Sequence, residues 1–149
     1  MAELVFHVSA VWSGSGREGS GTLSMGGQRI AYSAPDTMGG QGKGTSPEEL
    51  LLAAVTACYS GTLFGLVQRA GLPIARVDLH TEGTVSHYPA AARFSGITVH
   101  PTIMGGDAAQ LTEYRAAAAA ARDHCFIGRT VRDHLEYRVG VVDVQPTAQ

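Results

Sequence analysis

The segment from Ser46 to Pro73 constrains this chain most. Ser46-Pro47-Glu48-Glu49 is a strong helix start. Ser46 suits the N-cap, Pro47 the first helical position, and Glu49 completes a capping box. The pattern predicts a helix running to about Ala70 and stopping at Gly71, with Pro73 just beyond. Leu50, Leu51, Leu52, Val55, Cys58, Tyr59, Leu63, Phe64, Leu66 and Val67 cover most of its circumference. A helix apolar nearly all round must be buried nearly all round. One small sheet cannot enclose it, so part of it is expected to pack against a second subunit.

Around this helix the pattern is that of strands. Leu4, Phe6, Val8, Ala10 and Trp12 alternate with polar residues and predict a first half-buried strand. Thr22 to Met25 and Arg29 to Ser33 predict a hairpin turning at Gly26-Gly27. Val77 to Val85 and Ile97 to Ile103 keep period two and predict two longer antiparallel strands joined around Tyr88-Pro89. Asp107 to about His124 is a second, alanine-rich helix. Leu135, Tyr137, Val139 and Val141 make a last strand, and the tail from Gln145 is expected to fray. The order of elements is that of an α+β fold, and the 149 residues suit one domain, 1–149.

Composition excludes several functions. Net charge is −2 and Lys43 is the only lysine, which argues against nucleic acid or an anionic membrane as partner. The longest uninterrupted apolar run, Leu50 to Val55, is too short to span a bilayer. Met1 to Ala10 lacks a basic signal-like region, so the expected location is cytoplasmic. The six histidines fall in no H-x-x-H or H-E-x-x-H arrangement, so no metal site is expected. Lys43 is followed by Gly44, so the nearby glycines do not make a phosphate loop.

The two cysteines, Cys58 and Cys125, remain. Two buried small hydrophobes is the plainest reading of such a pair. Cys58 lies too far along the first helix for the dipole to ionise its thiol, so a reactive thiolate there needs a nearby cation. Arg17 and Lys43, on glycine-rich loops, are the candidates. Cys125 is expected at the C-terminal end of the second helix, where the field disfavours a thiolate. If both react, Cys58 attacks and Cys125 resolves.

Tyr32 to Ser60, YSAPDTMGGQGKGTSPEELLLAAVTACYS, closely resembles the loop and central helix of the OsmC/Ohr family, the osmotically inducible and organic hydroperoxide resistance proteins. GREG at Gly16 to Gly19 looks like the family's GRDG loop, and HCFIG at His124 to Gly128 stands where its second cysteine belongs. The likeness covers nearly the whole chain. Cys125 is followed by Phe126 where proline is commoner, and Met38 stands where one branch carries an arginine.

The resemblance implies antiparallel sheets wrapped around a buried central helix in an intertwined homodimer. It also implies a cofactor-free thiol peroxidase acting on organic hydroperoxides and, as a second substrate, hydrogen peroxide. By position, Cys58 would be peroxidatic and Cys125 resolving, Arg17 would hold the thiolate, and Glu48 would orient that arginine. A dihydrolipoyl dithiol is the implied reductant. Met38, Tyr59, Phe64 and Phe126 are candidates to wall an apolar pocket for the peroxide. A non-catalytic binding protein or a redox sensor using the same dimer cavity is the alternative.

Overall fold

The computed structural model describes residues 1–146, and the chain forms two compact units that meet in sequence at Leu51/Leu52. In the first unit, β1 (Ser9–Ser13), β2 (Ser20–Met25) and β3 (Gln28–Tyr32) form an antiparallel sheet in that order. The β2–β3 turn is Gly26-Gly27, with φ of 56° and 74°. Two consecutive left-handed residues match the twist of the hairpin and favour glycine at both.

The first strand is shorter than its alternation predicts. Ser9 pairs with Ser24, and β2 ends one residue later at Met25. Residues before Ser9 therefore find no partner backbone within this sheet. Leu4, Val5, Phe6 and Val8 are left exposed.

The long helix α1 (Pro47–Arg69) starts as expected. The Glu49 N–H donates to Ser46 Oγ at 3.2 Å, and that hydroxyl donates to Glu49 Oε1 at 3.0 Å. It ends before Gly71, whose φ is 74°. Val55, Tyr59, Leu63 and Val67 form one fully buried stripe, four residues apart. Ala53, Ala54, Ala57 and Gly61 are exposed, so within one chain the helix is buried on one side only. At 23 residues, α1 is long and apolar enough to cross a membrane by length and composition, which the uninterrupted Leu50–Val55 run does not reveal. A core helix satisfies the same criterion, and the buried stripe of α1 is part of the core of the second unit.

That unit adds β4 (Arg76–Ser86), β5 (Arg93–Met104), α2 (Leu111–His124), α3 (Phe126–Arg132), β6 (Glu136–Val139) and β7 (Asp143–Gln145). Ile97, Val99 and Ile103 of β5 meet the α1 stripe and Tyr114, Ala118 and Ala121 of α2. Gly83 of β4 lets the helix approach, because a Cβ there would lie 2.7 Å from Leu52 Cδ2.

The expectation of wholly antiparallel sheets needs correcting. β4 and β5 are antiparallel, but β6 and β7 both pair parallel to β5, end to end along its other edge. Gln145, expected to begin a frayed tail, closes β7; residues 147–149 of that tail lie outside the described residues. The short helix α3 fills the segment between the second expected helix and the last strand, to which the sequence pattern assigned no element.

Candidate active site

Cys58 follows the buried stripe of α1 at its edge and is half-buried, whereas Cys125 is only 1% exposed. Both are free thiols, and they are neighbours close enough for Cys58 to act on the Cys125 thiol. Tertiary packing thus joins two residues 67 positions apart (125 minus 58).

The setting of Cys125 differs from the expected end of a single helix. Its N–H donates to Ala121 O at 3.0 Å, closing α2. The same residue is the N-cap of α3, and its Sγ accepts from Gly128 N–H at 3.5 Å. Two opposed backbone fields therefore meet at this sulfur. Burial decides the outcome: it pushes the Cys125 thiol up, and the hydrogen bond with Cys58 adds to the rise. The amides of Gly128 and Ile127 pull the other way, and the thiol ends at about 11. Desolvation, rather than the dipole of α2, is thus the main cause of the raised Cys125 thiol.

Three tyrosines are buried in this unit. Tyr59 donates to Ala118 O at 2.9 Å. Tyr114 donates to Pro73 O at 2.6 Å and accepts from Asp107 N–H at 3.2 Å. Tyr137 is 6% exposed and its hydroxyl has no hydrogen-bond partner among the described residues. Burial holds the phenols of Tyr59 and Tyr137 well above the usual tyrosine range. Tyr137 is raised further by Cys125 and Cys58, while Arg122 lowers both phenols. Sequence reasoning missed Tyr137 and Arg122. Arg122 stands three residues before Cys125, but Tyr137 carries no local signal, since it reads as an ordinary inward strand residue.

The expected site residues divide between the units. Cys58, Cys125, Tyr59, Phe64 and Phe126 belong to the second. Tyr59 is a core residue with its hydroxyl committed, Phe64 is half-buried, and Phe126 is exposed on the first turn of α3. Arg17, Met38 and Glu48 belong to the first unit. Arg17 is exposed in the β1–β2 turn, and its side chain runs beside Gly39: a Cβ there would lie 3.4 Å from Arg17 Nε. Gln41 donates to the Arg17 carbonyl at 3.3 Å. Met38 ends a 3-10 turn, Asp36–Met38. Glu48 lies in the first turn of α1 with Oε1 buried and without a partner among the described residues. Lys43 is exposed; its backbone exchanges two hydrogen bonds with Ser33 Oγ, at 2.7 and 2.9 Å.

An α+β fold that sets two free thiols beside each other, one on the long helix α1 and one at the α2–α3 junction, defines a dithiol protein. Residues 40–139 match the OsmC-like protein family, and the chain belongs to it. It is 30% identical over 142 residues to the uncharacterized protein YmaD of Bacillus subtilis, covering 93% of this chain and 94% of that one. Its fold is similar to that of a hypothetical protein from Aquifex aeolicus (TM-score 0.76, 13% identity, 98% of this chain and 100% of that one). It is also similar to an organic hydroperoxide resistance protein, OsmC, from Legionella pneumophila (TM-score 0.70, 22% identity, 98% and 100%).

Proposed function

We propose that this chain is a thiol-dependent hydroperoxide reductase in which Cys58 attacks and Cys125 resolves. Family membership suggests peroxide-related redox chemistry. One observation carries the finer reading: two free thiols that are neighbours, one partly accessible and the other buried and held protonated. The Cys58 thiolate attacks the terminal peroxide oxygen. The O–O bond breaks, an S–O bond forms, and the alkoxide takes a proton to leave as alcohol. The sulfenic acid then condenses with the Cys125 thiol to a disulfide, releasing water. An external dithiol of the dihydrolipoyl type returns both sulfurs to thiols by exchange.

The proposal includes a cytoplasmic homodimer and a site free of metal and organic cofactor. Exposed Ala53, Ala54, Ala57 and Gly61 on an otherwise apolar helix support a second copy packing there. Arg17 is proposed to hold the Cys58 thiolate and Glu48 to orient that arginine, roles that rest on the family resemblance. Glu48 and Cys58 are ten residues apart on one helix, roughly 15 Å along its axis. Glu48 would therefore act across the dimer interface. Its buried, unpaired Oε1 has capacity for the guanidinium hydrogen bonds this role requires.

The test is turnover of cumene hydroperoxide with dihydrolipoamide. Wild type should consume peroxide, Cys58→Ser should not, and Cys125→Ser should retain a sulfenic acid on Cys58 after one equivalent. Wild type inert with every hydroperoxide and dithiol would refute the reading and favour a binding protein.

A further inference from the structure

Tyr137 is the one buried tyrosine of the second unit whose hydroxyl is uncommitted among the described residues. Tyr137 sits on β6 beside Ile97 of β5. Its ring lies against Gly128, so closely that a Cβ there would fall 3.1 Å from Cδ2 and 3.2 Å from Cζ. The Gly128 N–H is the donor to Cys125 Sγ. The tyrosine ring, the glycine amide and the resolving sulfur therefore form one packed group, and both sulfurs act electrostatically on the phenol.

Buried polar groups are normally paired, and one left open is a standing cost. Phenylalanine would fill the same space without that cost. The thiol pair supplies weak acceptors at best, because sulfur is a poor hydrogen-bond acceptor. An oxygen appears at this pair once Cys58 has reacted with a hydroperoxide.

We propose that the Tyr137 hydroxyl is the hydrogen-bond donor to the oxygen Cys58 takes from the peroxide, and that it promotes the second chemical step. The inference rests on the peroxidase reading above. In that step the Cys125 sulfur attacks the Cys58 sulfur. The S–O bond breaks, an S–S bond forms, and the oxygen leaves as water with the proton that Cys125 gives up. Negative charge develops on the departing oxygen, and a donor aimed at it stabilises that charge. Burial favours the neutral phenol, so the donor is present across the neutral range. Tyr137 also stands on the Cys125 side of the pair, which favours an effect on disulfide closure over one on the initial attack.

The test is a single-turnover experiment on the full chain. Reduced wild type and Tyr137→Phe are mixed with one equivalent of cumene hydroperoxide. Aliquots are quenched with dimedone and read by intact mass. In Tyr137→Phe, loss of the free Cys58 thiol should keep its wild-type rate. Disulfide closure should slow about tenfold, the effect of one hydrogen bond on a developing charge, and the dimedone-trapped species should accumulate. Tyr137→Phe should melt no lower than wild type, since it deletes an unpaired group.

A fluorinated tyrosine at 137 keeps the ring and acidifies the hydroxyl. Closure at neutral pH should then run at or above the wild-type rate, which separates loss of the donor from disturbance of the ring's packing. Closure at the wild-type rate in Tyr137→Phe, or closure as slow as that of Tyr137→Phe in the fluorinated protein, would overturn the role of Tyr137 and leave the peroxidase intact. Wild type that never forms a sulfenic acid on Cys58 would overturn both.

Discussion

Cys125 should resist alkylation in the folded protein far beyond the ordinary behaviour of a thiol. Its titration is raised from 9.0 to about 11, first by burial and then by the hydrogen bond with Cys58. At pH 8 a thiol titrating at its ordinary value is about 10% thiolate, whereas one titrating near 11 is about 0.1%. Ionisation alone therefore slows Cys125 about a hundredfold, since the thiolate is the nucleophile. The assay is a timed iodoacetamide pulse between pH 7 and 11, with peptide mapping of both cysteines and a urea-unfolded control. Labelling of Cys125 should rise about tenfold per pH unit and still be climbing at pH 9. Cys58→Ala removes the second cause and leaves the first, so the midpoint should fall yet stay above 9.0. The linkage has a definite sign. A thiol that holds its proton more tightly when folded stabilises the fold fully below about pH 9, and that contribution is lost as pH rises through about 11. A Cys125 labelling curve that levels off at or below pH 9 in the folded wild type would refute the reasoning.

Two structural predictions test the frame that holds this pair. Gly128→Ala drives a methyl group into the Tyr137 ring and should cost about 1–3 kcal/mol, as overpacking does; thermal melting should report the loss, and disulfide closure should slow in the same variant. Ser46→Ala removes the N-cap of α1 and should cost about 1 kcal/mol in urea denaturation.

The parts of the fold legible in the sequence were those coded by neighbours in the chain. The capping box at Ser46 and Glu49, the stop at Gly71 and the Gly26-Gly27 hairpin each depend on a few adjacent residues, and each formed as read. The β4 and β5 strands declared themselves by long alternation. The misses had a common cause. Helix α3 is seven residues long, and Phe126, Ile127 and Val131 around Gly128 make no clear helical stripe. Strand β7 has three residues. The parallel pairing of β6 and β7 is a choice of partner, which alternation does not encode. Residues 4–8 alternate as a strand does, yet β2 turns back before it reaches them.

The same distinction explains why the thiol pair was visible and its surroundings were not. Cys58 stands on the helix that the capping box and the apolar run announce, beside the four-residue stripe of Val55, Tyr59 and Leu63, so its place on α1 was readable although its half-burial was not. The character of Cys125 depends on α3, the element that local pattern concealed. Closing α2 fixes its backbone N–H, opening α3 turns Gly128 N–H toward its sulfur, and Tyr137 arrives from a strand paired in parallel. Without α3, Cys125 would end a helix with only a repelling field to mark it. With α3, attracting amides face the sulfur as well, and the thiol still holds its proton because it is sealed from water. Under the proposed peroxidase chemistry, unequal access would set the order of events: the sulfur a substrate can reach would react first, and the buried one would follow once the first had been oxidised.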